Sequence, residues 1–315
     1  MPIQHEETES VSWGRSRRRF VLRATVLMFA STFSVPATGV TPRQPLLERL
    51  LVVENAFRTA SQGVHDSPDL RSELDRAVGR LEPHDPVPRG AAVLPALNSL
   101  IFERLGITPT EDLKNPRNLL PSHVLIRRQG YCVGIAALYL LLAERLGAPI
   151  YAVATPSHVF LRYDDGTTHI NIETLQRGAS VSDEHYIREE KIPEESIRRG
   201  VFMRNLTADE FLAQVHNNLG VVYSEKSEFE AAAKEYEAAL SLDPRLPAAW
   251  YNSGNDQLRQ ERVRRAVRFF SKVLRLYPTD VWALNNRGLA YIKMGKPEEA
   301  RRNFDAALRI DPQFA

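Results

Sequence analysis

The feature that most constrains the fold is a period of 34 residues in the last third of the chain. A glycine, an alanine, an aromatic residue and a proline each recur three times at this spacing. These residues are Gly220, Gly254 and Gly288; Ala232, Ala266 and Ala300; Tyr236, Phe270 and Phe304; and Pro244, Pro278 and Pro312. A fixed short period predicts a solenoid, in which each unit buries its apolar face by stacking on its neighbours.

Each recurring residue has a physical role in such a stack. Glycine and alanine let paired helices approach closely, and the aromatic ring is expected to fill the space between neighbouring repeats. Proline ends the second helix of a repeat, because the residue before it disfavours the helical conformation. This pattern resembles the tetratricopeptide repeat, and the resemblance covers residues 213–315.

We therefore predict three repeats over residues 207–315, an all-α solenoid. Thr207 and Glu210 form a predicted capping box at its start. The predicted helices span 208–224, 228–241, 247–258, 262–275, 281–293 and 297–309. The outer face of the last repeat is then covered by a partner, covered by another copy of the chain, or left partly exposed, so self-association stays open.

An asparagine precedes each recurring glycine by two residues: Asn218, Asn252 and Asn286. In the repeats that this region resembles, the position often faces the concave groove and bonds the backbone of a bound peptide. The resemblance thus implies a protein or peptide partner and makes these three residues candidates for the groove. The alternative is that the asparagines are structural residues of the repeat.

The chain has one cysteine, Cys132, which excludes an internal disulfide and argues against a cysteine-bound zinc. It opens an almost wholly apolar stretch that predicts a buried helix ending at Gly147. In the first turn of a helix, the dipole and the free N–H groups favour a thiolate and can stabilise an oxyanion. Cys132 is therefore a candidate nucleophile.

A β-hairpin is predicted after this helix, with strands over 158–163 and 168–173 and a turn at Asp165–Gly166. A two-residue turn at that point sets His158 directly opposite Glu173, with Cβ atoms about 5 Å apart. The chain thus supplies a nucleophile, a base and a carboxylate that can orient the base.

Residues 121–178 resemble the transglutaminase-like branch of the papain-like thiol hydrolases, and bacterial proteins of this kind are often joined to tetratricopeptide repeats. The resemblance implies an α+β core, a helix-borne cysteine packed on a small antiparallel sheet, over 116–200. It implies Cys132 as nucleophile, His158 as base and Glu173 as third member, with Gln129 a candidate oxyanion donor. The family more often has Asp in the third place, which leaves activity open.

A helical subdomain is predicted over residues 40–115, with helical periodicity in 46–60, 69–81 and 92–105. The remaining histidines show no metal-ligand spacing, and no phosphate-binding loop is present. The sequence therefore predicts no metal and no cofactor.

Residues 1–39 have the order of an export signal: a basic segment over 15–23, an apolar segment over 24–35 and small residues at 35–37. Residues 16–21 resemble a twin-arginine signal. The apolar run of about a dozen residues is shorter than the ~20 that span a bilayer, so cleavage is favoured over membrane anchoring. An exported, periplasmic protein is expected; a cytoplasmic one is the alternative if this segment is not a signal.

Charge argues against a nucleic-acid partner. The five arginines and three glutamates of residues 1–39 account for the whole net charge of +2, so the body of the chain is balanced. Two hypotheses remain. The first is an exported thiol enzyme, a peptidase, amidase or acyl transferase, whose repeats bind a protein or peptide. The second is a non-enzymatic adaptor with a degenerate thiol site.

Overall fold

A computed structural model describes residues 45–60, 69–80 and 89–314. The predicted export signal lies outside these residues. The helices are α1 Leu46–Ala60, α2 Leu70–Gly79, α3 Val93–Asn98, α4 Pro121–Arg127, α5 Cys132–Leu146, α6 Asp183–Glu189, α7 Glu194–Arg198, α8 Ala208–Glu225, α9 Phe229–Leu242, α10 Pro247–Arg259, α11 Val263–Leu276, α12 Val281–Lys293 and α13 Pro297–Ile310. The strands are β1 Thr108–Pro109, β2 Gln129–Gly130, β3 Ile150–Ala154, β4 Val159–Asp164 and β5 His169–Ile172.

Helix α5 is the centre of the first half of the fold. It is buried along most of its length and packs on an antiparallel sheet of order β3-β4-β5. It ends at Gly147, which takes the left-handed conformation expected of a helix C-terminal glycine. The same apolar core includes Leu50 of α1, Leu74 of α2 and Leu219 of α8. The predicted α+β core is confirmed. Helices α1 and α2, which precede it in the chain, and α8, which follows it, complete its apolar interior.

The opposite face of the sheet has its own apolar cluster. Phe160 of β4 lies there against Tyr186 of α6, with parallel rings 4.2 Å apart. Phe202 of the segment after α7 packs edge-on against Tyr277, which follows α11 of the second repeat. The sheet is therefore covered on both faces, and the segment after β5 connects it to the repeats.

The β4–β5 hairpin has a different register from the predicted one. Asp164 pairs with His169 and Leu161 with Ile172, so the connection has four residues rather than two. The Asp165 carboxylate explains the longer turn, because it accepts hydrogen bonds from the backbone N–H groups of Thr167 and Thr168. The predicted direct pairing of His158 with Glu173 is therefore wrong by two residues, although a shift of two keeps each side chain on its predicted face.

The repeats follow the prediction closely. The six helices α8 to α13 begin and end within one residue of the predicted bounds, and the Thr207–Glu210 capping box is present. The recurring rings also make a contact within their own repeat that the period alone did not predict. A Cβ on Gly220, Gly254 or Gly288 would lie within 2.7 Å of the ring of Tyr236, Phe270 or Phe304, respectively. Each ring thus fills the space beside the glycine of its own repeat, where only hydrogen fits.

The last repeat leaves apolar side chains in contact with solvent. Leu289, Ile292 and Leu308 of α12 and α13 are 43%, 53% and 43% exposed. Self-association through this face stays a prediction. Across the described residues, no helix combines the length and the apolar character that crossing a membrane requires.

Candidate functional site

Cys132 is the first residue of α5, and close backbone packing holds the start of that helix. A Cβ on Gly134 would lie 2.1 Å from the backbone oxygen of Asn118, and the same oxygen accepts a hydrogen bond from Tyr131 N–H. The segment before α4 therefore presses directly against the first turn of α5. The N–H groups of that turn have no partners within the helix. Cys132 is 2% exposed and lines a cleft.

His158 lies just before β4, in a short loop closed by hydrogen bonds. Its backbone N–H donates to the Thr155 hydroxyl at 3.0 Å, and its carbonyl accepts from Thr155 N–H at 2.9 Å. The Glu190 carboxylate accepts from the Thr155 hydroxyl at 2.6 Å and from Ser157 N–H at 2.9 Å. Glu190 thus ties the loop to the end of α6 and restricts the position of the ring.

Glu173 holds the His158 ring from the end of β5. The Nε2 atom of His158 lies 2.8 Å and 3.0 Å from the two carboxylate oxygens. Glu173 also accepts from Tyr186 Oη at 2.7 Å and from Leu175 N–H at 2.9 Å. With Nε2 occupied by Glu173, Nδ1 is the ring nitrogen that remains for the Cys132 thiol, which lines the same cleft. The structure thus pairs His158 with Glu173 and places both Cys132 and His158 in the wall of one cleft.

Protonation of the site follows from these contacts. Burial lowers the pKa of His158, but hydrogen bonds to Cys132 and Glu173, with the charges of both, outweigh it and raise the pKa to about 10. Burial raises the pKa of Glu173. Its contacts with His158, Tyr186 and Leu175 N–H lower the pKa by more than burial raises it, so the pKa lies below the usual 4.5. At neutral pH the ring is a cation and Glu173 an anion.

Two tyrosines border the site formed by Cys132, His158 and Glu173. Burial, followed by the hydrogen bond and charge of Glu173, raises the pKa of Tyr186, so its hydroxyl stays a donor to that carboxylate. Burial also raises the pKa of Tyr131, as do the charge of Cys132 and a hydrogen bond to it. Sequence reasoning missed Tyr186, Tyr131 and Glu190. Only Tyr131 carried a signal, because it directly precedes the cysteine.

The cleft beside Cys132 also reaches the repeats. Its volume is about 860 Å³, and its wall includes Cys132 and His158 together with side chains of α8, α10 and α12, the first helices of the three repeats. An ion pair links the two sides, with Lys191 Nζ 2.9 Å from Asp311 Oδ2. The thiol and the repeats thus face one continuous space.

The predicted groove residues take different places. Asn218 and Asn252 line the cleft, and Asn286 is not part of its wall. The Asn252 amide donates to Asn217 Oδ1, and that of Asn286 donates to Tyr251 Oη and Asn255 Oδ1. These bonds cross from one repeat to the preceding one, so both asparagines also have a structural role.

Gln129, the candidate oxyanion donor, lies in β2, where it pairs with Thr108 of β1. It is half-buried and does not line the cleft. The free N–H groups at the start of α5 are therefore better placed to bind an oxyanion. Among residues 45–60, 69–80 and 89–314 there is no cluster of His, Cys, Asp and Glu side chains suited to a metal ion.

Comparisons with protein families agree with this division of the chain. Residues 68–218 match the family described as the transglutaminase-like superfamily. Residues 220–261 and 281–314 match tetratricopeptide repeats.

Similar proteins match parts of this chain. A UPF0162 protein of Xylella fastidiosa (strain 9a5c) is 27% identical over 220 residues, 69% of this chain and 67% of the relative. Hsp70-Hsp90 organizing protein 1 of Glycine max is 28% identical over 89 residues, 28% of this chain and 16% of the relative. Among solved structures, the first TPR domain of Spaghetti (RPAP3), bound to the HSP90 peptide SRMEEVD, is 22% identical, covers 33% of this chain and 82% of its own, and has a TM-score of 0.33.

Proposed function

Because this chain carries a transglutaminase-like domain followed by tetratricopeptide repeats, we propose that it is a thiol enzyme acting on amide bonds of a protein or peptide that its repeats bind. The observation that supports this most strongly is the hydrogen bond between His158 and Glu173, with His158 and Cys132 in the wall of one cleft. A ring held by a carboxylate, with a raised pKa, can keep the proton that the thiol gives up.

The reaction proceeds in two steps. The Cys132 sulfur attacks the carbonyl carbon, and the N–H groups at the start of α5 stabilise the oxygen that becomes negative. His158 donates its proton to the leaving nitrogen, the C–N bond breaks, and a thioester remains on Cys132. Water or an amine then attacks the thioester, His158 accepts the proton of that nucleophile, and the sulfur leaves. Water gives hydrolysis and an amine gives transfer.

The proposal is tested by acylating the protein with p-nitrophenyl acetate, an activated ester that needs no specific recognition. The wild type should release nitrophenol in a burst equal to the protein present and gain one acetyl group, located on Cys132 by mass spectrometry. Cys132→Ala should gain none, and His158→Ala should react about 100-fold more slowly, the usual contribution of a general base.

Discharge of the thioester separates the two outcomes of the reaction. Faster loss of the acetyl group on adding a primary amine, with the amide of that amine as product, would indicate transfer; loss at an unchanged rate would indicate hydrolysis. A wild type that forms no thioester, or forms it at the rate of His158→Ala, would contradict the proposal and favour an adaptor whose thiol site is degenerate.

Export is part of the proposal on the basic, apolar and small-residue order of residues 15–37. Protein recovered from the periplasm with its N-terminus near residue 38 would support it. Full-length protein found only in the cytoplasm would exclude it.

A further inference from the structure

Helix α11, the second helix of the second repeat, carries a basic stripe on its outer face. The stripe consists of five exposed side chains: Arg264, Arg265, Arg268, Lys272 and Arg275. With 3.6 residues per turn, these five fall within an arc of about 100° and extend for about 17 Å along the helix. Ala266, Phe270 and Val273 lie on the opposite side of α11 and are buried. The basic stripe is therefore the face that α11 presents to solvent.

The charges of the basic stripe are not neutralised within the described part of the chain. Helix α11 contains no aspartate or glutamate, and its five cations form no ion pair with a described residue. Glu261, which precedes the helix, is paired with Lys293. The Arg199 guanidinium adds a positive charge at the other end, where it donates to the backbone oxygen of Arg275 at 3.1 Å. A partner that contacts this face therefore meets uncompensated positive charge.

The repeat fold does not require this charge. The equivalent helices α9 and α13 have the same architecture but mix acidic, neutral and basic residues at the five positions. These residues are Glu230, Ala231, Lys234, Ala238 and Ser241 in α9, and Glu298, Glu299, Arg302, Ala306 and Arg309 in α13. The basic stripe is thus particular to the second repeat.

The surroundings of the basic stripe favour a narrow acidic chain over other polyanions. An anionic membrane would also approach Glu230 and Glu298 on the neighbouring helices, and α11 exposes no apolar side chain that could enter the lipid. Single-stranded nucleic acid binds by stacking its bases on aromatic rings. Trp250, beside the stripe, is half-buried, with Phe269 against it and Lys272 over its ring.

We propose that α11 is a docking surface for an acidic segment of a protein partner. A stretch of about five extended residues, at ~3.3 Å per residue, matches the length of the basic stripe. The stripe lies outside the cleft, whereas Tyr251 and Asn252 of the paired helix α10 line it. The second repeat can therefore hold this partner while the cleft is occupied. The proposal does not depend on the thiol chemistry.

The test measures binding of a labelled peptide to the full chain by fluorescence anisotropy. The peptide has five consecutive glutamates between glycine and serine residues and is blocked at both ends; its matched partner has glutamine in place of each glutamate. The stripe variant combines Arg268→Glu with Lys272→Glu. The control variant combines Arg301→Glu with Arg302→Glu, two exposed cations of α13, and lowers the net charge by the same amount. Circular dichroism confirms that both variants are folded.

The glutamate peptide should bind at least about 10-fold more tightly than the glutamine peptide at about 0.15 M salt, and its affinity should fall as salt is added. The stripe variant should weaken binding about 10-fold or more, because two attractive contacts become repulsive. The control variant should change the affinity by roughly 2-fold at most, because it acts only through screened charge at a distance.

Equal losses in the stripe and control variants would overturn the proposal, since only net charge would then matter. Absence of binding by the glutamate peptide would overturn it too. Ten-residue oligothymidylate and vesicles containing phosphatidylglycerol are measured in parallel. Tighter, stripe-dependent binding of either one would assign α11 to nucleic acid or to lipid instead. The acylation of Cys132 does not involve α11, so it tests the proposed function separately.

Discussion

Glu173→Gln is expected to slow the alkylation of native Cys132 by chloroacetamide at least about 100-fold near pH 7, the lower end of what a positioned acid–base group contributes. Gln has almost the same shape but no charge. The substitution removes the charge of Glu173, which raises the pKa of His158, and leaves at most a weaker, uncharged hydrogen bond to the ring. The ring then holds the proton of the thiol less firmly. Intact-protein mass spectrometry follows the reaction, because the chain has one cysteine.

The shifted pKa values of His158 and Glu173 also predict how the stability of the fold depends on pH. The pKa of Glu173 is lowered, so its contribution is present above pH 4.5 and is lost as the pH falls through the folded-state value. The pKa of His158 is raised, so its contribution is complete below pH 6.5 and is lost as the pH rises through about 10. The difference in Tm between the wild type and Glu173→Gln should therefore be largest near pH 5–6 and shrink towards pH 10.

Tyr186→Phe is the matched control for this pair. It removes the hydroxyl that donates to Glu173 at 2.7 Å and keeps the ring that stacks on Phe160, so alkylation should slow by roughly 10-fold or less. Unfolded proteins should all react at one rate. A native Glu173→Gln that reacts as fast as the wild type would show that the carboxylate does not act on the thiol through His158.

Gly134→Ala is expected to lower the free energy of unfolding by about 3 kcal/mol, the upper end for overpacking, and the Tm by roughly 5–10 °C. The new Cβ would lie 2.1 Å from the backbone oxygen of Asn118, and a backbone atom cannot turn aside as a flexible side chain can. The first turn of α5 must shift, and Cys132 with it. Thermal denaturation measures the first effect and chloroacetamide alkylation the second.

Gly79→Ala provides the comparison at the end of another helix. Nothing lies within 4 Å of a Cβ at Gly79, so the substitution should leave the Tm unchanged or raise it slightly through the higher helix propensity of alanine. If Gly134→Ala is as stable as Gly79→Ala, the close packing of α5 on the Asn118 segment is not what positions the thiol.

The repeats and the central helix were predictable because their signals are local. A fixed period, the Thr207–Glu210 capping box and the glycine at the end of α5 each determine structure within a few residues of themselves. The contact between each recurring ring and a glycine was not predictable. The 34-residue spacing of the glycines and of the rings does not indicate which repeat supplies the ring that packs on a given glycine. The structure pairs Tyr236 with Gly220 of the same repeat.

The surroundings of the thiol were harder to predict, because they depend on contacts between distant segments. The Asp165 carboxylate stabilises a turn that is two residues longer than the predicted one. The Asp165–Gly166 pair is compatible with both the two-residue and the four-residue connection, so it does not distinguish them. His158 still meets Glu173 because the shift kept both on one face. Tyr186 belongs to the short helix α6 and Glu190 directly follows it. The orientation of this helix is set by packing on the sheet, so no local pattern assigns either residue to the site.

The shared cleft could not be derived from sequence either. It depends on the segments on either side of α7. Before this helix Lys191 forms an ion pair with Asp311, and after it Phe202 packs against Tyr277. These contacts join residues far apart in the chain and give no periodic signal. They place the first helices of the repeats along the space that Cys132 faces, which an account of two independent domains would miss.

Nuclear magnetic resonance of the His158 ring tests the central claim most directly, with the ring signals assigned by their absence from His158→Ala. If the ring is held between the Cys132 sulfur and the Glu173 carboxylate, its nitrogens remain protonated at pH 8 and lose a proton only near pH 10. A ring that titrates near its ordinary value of 6.5, with the same behaviour in Cys132→Ala, would contradict the account.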